Sequence, residues 1–179
     1  MTSLALKSDG TVWAWGRNYY GQLGNPDICM GSFCYSTSPV PVSGLRSAVA
    51  IAAGDVHSVA VLADGSVWAW GDNLAGELGN GTITACPPCG LPTPVQAVGV
   101  SGVTTVAAGT AHTLALRSDG TVLAWGNNAF GQLGDGTTNS SPVAVPVQRL
   151  RRVAAISAGR GFLNDGGGVH SLAIVKAPD

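Results

Sequence analysis

The chain has 179 residues, enough for one domain with a buried core, and a net charge of −1. Only 11% of its residues are charged and 26 are glycine, which excludes a charge-driven disordered tail and leaves no basic stripe for a long phosphate contact. No apolar run approaches the roughly 20 residues of a membrane-spanning helix, so neither nucleic acid nor membrane is an expected partner.

Met1 runs almost directly into the first strand and no leader is legible, so the chain reads as cytoplasmic, mature or an excerpt. Residues 3–6 alternate small or polar with apolar side chains, as a half-buried strand does. Asp9-Gly10 then turns the chain, and residues 11–15 return with Trp13 and Trp15 on one side and Val12 and Ala14 on the other. Both sides are apolar, so burial between stacked sheets is expected. A long loop follows Gly16. Pro39-Val40-Pro41-Val42 reads as a short edge strand, because proline cannot donate to a central ladder. Residues 49–54 supply a fourth strand, and Asp55-Val56-His57 turns into the next copy.

The order then repeats. Asp9-Gly10-Thr11-Val12-Trp13-Ala14-Trp15-Gly16 returns at 64–71 and again at 119–126, 55 residues apart each time. Gly21-Gln22-Leu23-Gly24, Gly76-Glu77-Leu78-Gly79 and Gly131-Gln132-Leu133-Gly134 follow at the same period. The blade-sized units fall at about 2–56, 57–111 and 112–169, and 170–179 starts a fourth. Four strands per unit, no helical period and many turns give an all-β fold of four-stranded antiparallel blades of the β-propeller type. About three blades form an open arc within one repeat domain.

The combination Asp-Gly-x-Val-x-x-Trp-Gly, Gly-Gln-Leu-Gly and Ala-Gly-x-x-His-Ser-Leu-Ala-Leu resembles the regulator of chromosome condensation repeat family over nearly the whole chain. The resemblance implies propeller blades, normally seven to a ring. The missing blades would come from a longer chain or a second copy.

In an up-and-down meander every insertion of this chain lies on one face. The intervals from Gly24 to Pro39 and from Gly79 to Pro94 are 15 residues, against 8 from Gly134 to Pro142. An eight-residue insertion before His170 belongs to the same face. Long loops on one face of a rigid scaffold are where binding sites sit. The two longer loops hold all four cysteines, Cys29, Cys34, Cys86 and Cys89. One disulfide per loop is the plainest reading, although four cysteines allow three pairings. A shared four-cysteine zinc site would have to bridge two blades. Cys86-Pro87-Pro88-Cys89 also looks like a thiol–disulfide exchange motif, but it lacks the helix that lowers a thiol pKa.

His57, His112 and His170 recur at blade period and read as architectural, each imidazole bonding backbone inside its turn. Asp9, Asp64 and Asp119 belong to hairpin turns, and no carboxylate pair suited to acid–base work is visible. The tryptophans read as core and inter-blade packing. The partner-binding candidates are Tyr19, Tyr20, Leu74 and Phe130 in the loops, with Phe162 and Leu163 in the third insertion.

These readings describe a non-enzymatic scaffold without cofactor or metal that binds a protein through its loop face. Two alternatives come with the resemblance: a guanine-nucleotide exchange factor acting on a small GTPase, and a secreted inhibitor of an enzyme. A photoreceptor role is excluded, since the motif Gly-Trp-Arg-His-Thr is replaced by Gly54-Asp55-Val56-His57-Ser58 and Gly109-Thr110-Ala111-His112-Thr113. Loop cysteines and near-identical repeats look like bacterial secreted or cell-surface members, so an extracellular or surface location is expected.

Overall fold

The computed structural model describes residues 1–85, 90–161 and 169–177. Among them there are only strands: β1 (Thr2–Leu6), β2 (Val12–Arg17), β3 (Tyr35–Pro41), β4 (Ala48–Ala53), β5 (His57–Leu62), β6 (Val67–Gly71), β7 (Leu91–Gln96), β8 (Val103–Ala108), β9 (His112–Arg117), β10 (Val122–Gly126), β11 (Ser141–Pro146), β12 (Val153–Ala158) and β13 (Ser171–Val175). They build two complete antiparallel four-stranded sheets, β4-β5-β6-β7 and β8-β9-β10-β11. A three-stranded sheet β1-β2-β3 stands before them and a β12-β13 pair stands after.

The hairpins form where alternation and Asp-Gly coincide. Asp64 Oδ1 accepts from the Ser66 amide at 2.9 Å and the Ser66 hydroxyl at 2.6 Å, and the same pattern recurs at Asp9 and Asp119. Gly65 takes φ +78° there, and its α-carbon lies so close to Gly102 that a side chain would meet backbone at 3.0 Å.

The sheets are offset from the sequence units by one strand. β4 was expected to finish the unit at 2–56, yet it pairs with β5 and opens the next sheet. The prolines explain this. β3, β7 and β11 carry Pro39, Pro92 and Pro142 and pair on one side only, so each closes its sheet as the outer strand. The chain then crosses to an inner strand of the following sheet. β4 and β12 both lie against β8, so the inner strands stand side by side.

Apolar layers fill the space between sheets. Val12, Ala14 and Leu23 of the first repeat pack with Ala60 and Trp70 of the second. Val59, Val67 and Leu78 of the second pack with Ala115 and Trp125 of the third. Trp70 and Trp125 are fully buried in these seams, whereas Trp13, Trp15 and Trp68 are half-buried.

Candidate binding face

The long loops and the β4–β5 and β8–β9 turns share one face, because the amide after the second and third Trp-Gly reaches back to the residue just before His57 or His112, on the neighbouring strand of the same sheet. Asp72 N donates to Val56 O at 2.9 Å and Asn127 N to Ala111 O at 2.8 Å. Each long loop is then bracketed by a buried asparagine. Asn18 donates from Nδ2 to Cys29 O (2.7 Å), Asn73 to Thr82 O (3.0 Å) and Asn128 to Asn139 O (3.0 Å). Their Oδ1 atoms accept from Leu23, Leu78 and Leu133 amides. Sequence reasoning passed over these three residues, although they recur at the 55-residue period. A buried side chain that satisfies backbone groups from both ends of a loop fixes its shape. Cys29 and Cys34 are disulfide-bonded, with α-carbons 5.5 Å apart, and close the first loop further. Cys86 and Cys89 lie outside the described residues, as do Phe162 and Leu163.

The histidines connect one repeat to the next. His57 Nε2 lies 2.9 Å from Thr113 Oγ1, and that hydroxyl donates to Glu77 O at 3.1 Å. Since Thr113 spends its proton on the carbonyl, His57 must donate from Nε2, which leaves Nδ1 bare. His112 repeats the arrangement with Ser171 Oγ (3.1 Å), which donates to Gln132 O at 2.7 Å. The expected backbone bond within the turn is thus replaced by a side-chain bond across the seam. The reason is lateral room: the ring lies over a glycine, and a β-carbon on Gly54 would meet His57 Nδ1 at 2.9 Å. Neither Nδ1 has a hydrogen-bond partner among the described residues. Burial, then His112 and Arg160, lower the His57 pKa to about 3; burial, then His170, lower that of His112 to about 4. Both rings stay neutral. His170, by contrast, is exposed.

The second repeat carries a carboxylate pair that the sequence reading did not foresee. Asp72 and Glu77 are both buried, where the third repeat has Asn127 and Gln132 joined by a 2.8 Å hydrogen bond. Glu77 Oε2 accepts from the Ala75 amide (2.9 Å), as Gln22 and Gln132 accept from Tyr20 and Phe130 amides. Burial, reinforced by Asp72, raises the Glu77 pKa to about 7, and burial raises that of Asp72. The position-by-position match of the repeats held the signal: glutamate and aspartate stand where sister copies have amides or arginine.

On the inner rim, Asp55, Thr110 and Arg160 follow equivalent glycines of three repeats and meet. Thr110 Oγ1 donates to Asp55 Oδ2 (3.1 Å), and Arg160 Nε lies 3.9 Å from Asp55 Oδ1. Arg160 also donates to Ala53 O. On the outer part of the face, Tyr19 and Tyr20 meet edge-on at 4.6 Å and Arg17 stands over the Tyr19 ring at 5.1 Å. Both tyrosines are half-buried and Arg17 is exposed. Leu74 and Phe130 are exposed, and so are Phe33, Tyr35 and Ile83, which the sequence reading did not single out; Phe33 is 92% exposed. Among the described residues no cluster of histidine, cysteine and carboxylate groups could hold a metal. Among the described residues no helix is long and apolar enough to cross a membrane.

The repeated Trp-Gly hairpins and blade-to-blade latches define a class of propeller built from tandem four-stranded units. A family model described as the regulator of chromosome condensation (RCC1) repeat matches residues 9–61, 64–116 and 119–163, and the chain belongs to that family. It is similar to the human E3 ubiquitin-protein ligase HERC2, 34% identical over 175 residues, which are 96% of this chain and 3% of that protein. The Arabidopsis thaliana ultraviolet-B receptor UVR8 is 35% identical over 161 residues, 86% of this chain and 35% of that protein. Prp20p from Saccharomyces cerevisiae shares the fold with a TM-score of 0.80 at 22% identity, over 99% of this chain and 42% of that one. Human WBSCR16 matches with a TM-score of 0.73 at 26% identity, over 88% and 40%. The chain therefore spans less than half the length of each of these proteins.

Proposed function

We propose that this chain is a non-enzymatic scaffold whose loop face binds a protein partner. The observation that supports the reading most is the contrast between rigid loop bases and exposed apolar tips. Asn18, Asn73 and Asn128 fix the bases from within, while Phe33, Leu74, Ile83 and Phe130 face solvent above them. Pre-ordered loops lose little entropy on binding, and exposed aromatics supply the anchors that protein interfaces favour. The structure of Prp20p was described together with its binding to Gsp1p and histones, which gives a protein partner a precedent on this fold. The Cys29–Cys34 disulfide supports an oxidising location, extracellular or at a cell surface.

The test compares the chain with two variants. One carries Phe33→Asp and Phe130→Asp; the other carries Asp119→Ala on the opposite face. A partner retained by the second variant and lost by the first supports the reading. Equal retention by both contradicts it. Stimulated nucleotide release from a small GTPase, or inhibition of a secreted β-lactamase, would replace the scaffold reading with the corresponding alternative.

A further inference from the structure

The charges of the chain are sorted between its two faces. Of the nine lysines and arginines only Arg17 and Arg160 lie on the loop face; the others stand at the end that carries the Asp-Gly hairpins. The described carboxylates are distributed the other way. Asp27, Asp55, Asp72, Glu77 and Asp135 lie on the loop face, and only Asp9, Asp64 and Asp119 stand at the hairpin end. A net charge of −1 therefore conceals a basic end.

Three of these cations share one turn. The β3–β4, β7–β8 and β11–β12 turns carry Gly44-Leu45-Arg46-Ser47, Gly99-Val100-Ser101-Gly102 and Arg149-Leu150-Arg151-Arg152 at equivalent positions. The apolar residue anchors each turn: Leu45 and Val100 are buried in the seams, and Leu150 packs half-buried against the third apolar cluster. The adjacent hairpin holds the turn as well. Val153 N donates to Gly120 O at 3.1 Å, as Ala48 N does to Gly10 O (3.0 Å) and Val103 N to Gly65 O (3.3 Å). The other three residues are exposed in every copy, including the two that a complete sheet follows, so the exposure of the arginines is a property of the turn.

Two of the arginines are held against the preference of the backbone. Arg149 and Arg152 both take φ +58°, where the second repeat has Gly99 at +69° and Gly102 at +66°. This region disfavours any residue with a β-carbon, and strain of this kind persists where the side chain has a use. Packing supplies none, since both are exposed. Among the described residues no carboxylate pairs with Arg149 or Arg151, while Lys7 pairs with Asp9 and Arg160 with Asp55. Arg151 Nη1 donates to Leu150 O at 3.1 Å and Arg152 Nη2 to Ala177 O at 2.9 Å.

We propose that the β11–β12 turn is a docking site for an acidic polypeptide segment, on the face opposite the loops and separate from the partner proposed for them. The planar guanidinium fork matches a carboxylate with two parallel hydrogen bonds, and an anchored turn presents three such forks without having to order itself first. A nucleic-acid backbone suits this face less well. It would continue past the turn over Asp64 and Asp119, the exposed carboxylates of the hairpins, whereas a short acidic segment has only the turn to cover.

The test follows the fluorescence anisotropy of a fluorescein-labelled polyglutamate peptide titrated with the 179-residue chain and its variants. Arg149→Gly with Arg152→Gly restores the glycines of the second repeat; Lys7→Ser with Arg46→Ser removes the same charge from the first. The glycine variant should bind about tenfold more weakly, while its urea midpoint rises because the left-handed strain is relieved. Arg151→Ser, which has no such strain to relieve, should bind about threefold more weakly with an unchanged midpoint. The serine pair should bind like the native chain, and added salt should weaken native binding. Absence of native binding, equal losses in the two double variants, a lowered midpoint in the glycine variant, or tighter binding of a duplex DNA oligonucleotide at the same salt would overturn the proposal. Phe33 and Phe130 are native throughout, so none of these outcomes bears on the loop-face reading.

Discussion

Trp70 and Trp15 occupy the same position in successive repeats, within the same Trp-Ala-Trp-Gly sequence, and their surroundings differ completely. Trp70 is enclosed by Leu23, Val42 and Gly24 of the repeat before it, and its indole N–H is bonded; among the described residues no sheet covers Trp15, which is half-buried. A side chain in a tandem array is therefore worth what its neighbour repeat makes it worth. The largest expected effect follows directly. Trp70→Ala or Trp125→Ala should cost about 3–5 kcal/mol in urea unfolding. Trp15→Ala should cost under about 1.5 kcal/mol. Equal losses at Trp70 and Trp15 would mean that the neighbouring repeat contributes nothing to the tryptophan's burial energy.

The latch histidines make the seams sensitive to pH. His57 and His112 have folded pKa values of about 3 and about 4, below the ordinary 6.5. Between those values and 6.5 the unfolded chain binds more protons, so stability falls as pH drops below 6.5. The expected slope is up to about 1.4 kcal/mol per pH unit for each ring. His57→Gln, which retains a donor towards Thr113, should flatten the slope by one ring's share. An unchanged slope would remove His57 from the seam account.

Glu77 acts with the opposite sign. Its pKa is raised to about 7 from 4.5, so the folded chain holds the extra proton between these values and stability falls as pH rises through them. Glu77→Gln restores the amide of the sister repeats. It should stabilise the chain by about 2–3 kcal/mol above pH 7, by nothing near pH 4, and leave the acid loss from the histidines uncompensated. The smallest effect concerns Arg149, held at φ +58° where the earlier repeats have Gly44 and Gly99. Arg149→Gly should gain roughly 1 kcal/mol by relieving the left-handed conformation, read as a raised unfolding midpoint.

Much of this was legible in the sequence. Alternation around Asp-Gly located the hairpins, and the spacing of Trp-Gly and Gly-x-Leu-Gly identified the repeat. The tryptophan seams followed from strands that are apolar on both sides. The phase of the sheets was less clear, because β4 and its neighbours read alike in either sheet. Only pairing shows that the proline strands β3, β7 and β11 end their sheets. The latch partner of His57 lies 56 positions away, beyond any local pattern. Asp72 and Glu77 look like loop carboxylates until the fold buries them together, although a slot-by-slot comparison of the repeats would have marked them. Exposed Phe33 and Ile83 went unremarked because nothing in a loop's sequence tells which apolar residue turns outwards.

A filled seam, and not the tryptophan motif itself, creates the protected interior. Hydrogen exchange of the indole protons, followed by NMR on the 179-residue chain, separates the two. Slow exchange is expected at Trp70 and Trp125, whose Nε1–H groups are bonded to Gln22 O and Glu77 O, and fast exchange at Trp15. Protection of Trp15 equal to that of Trp70, or fast exchange at all three, would mean that the seam is not what protects the indole.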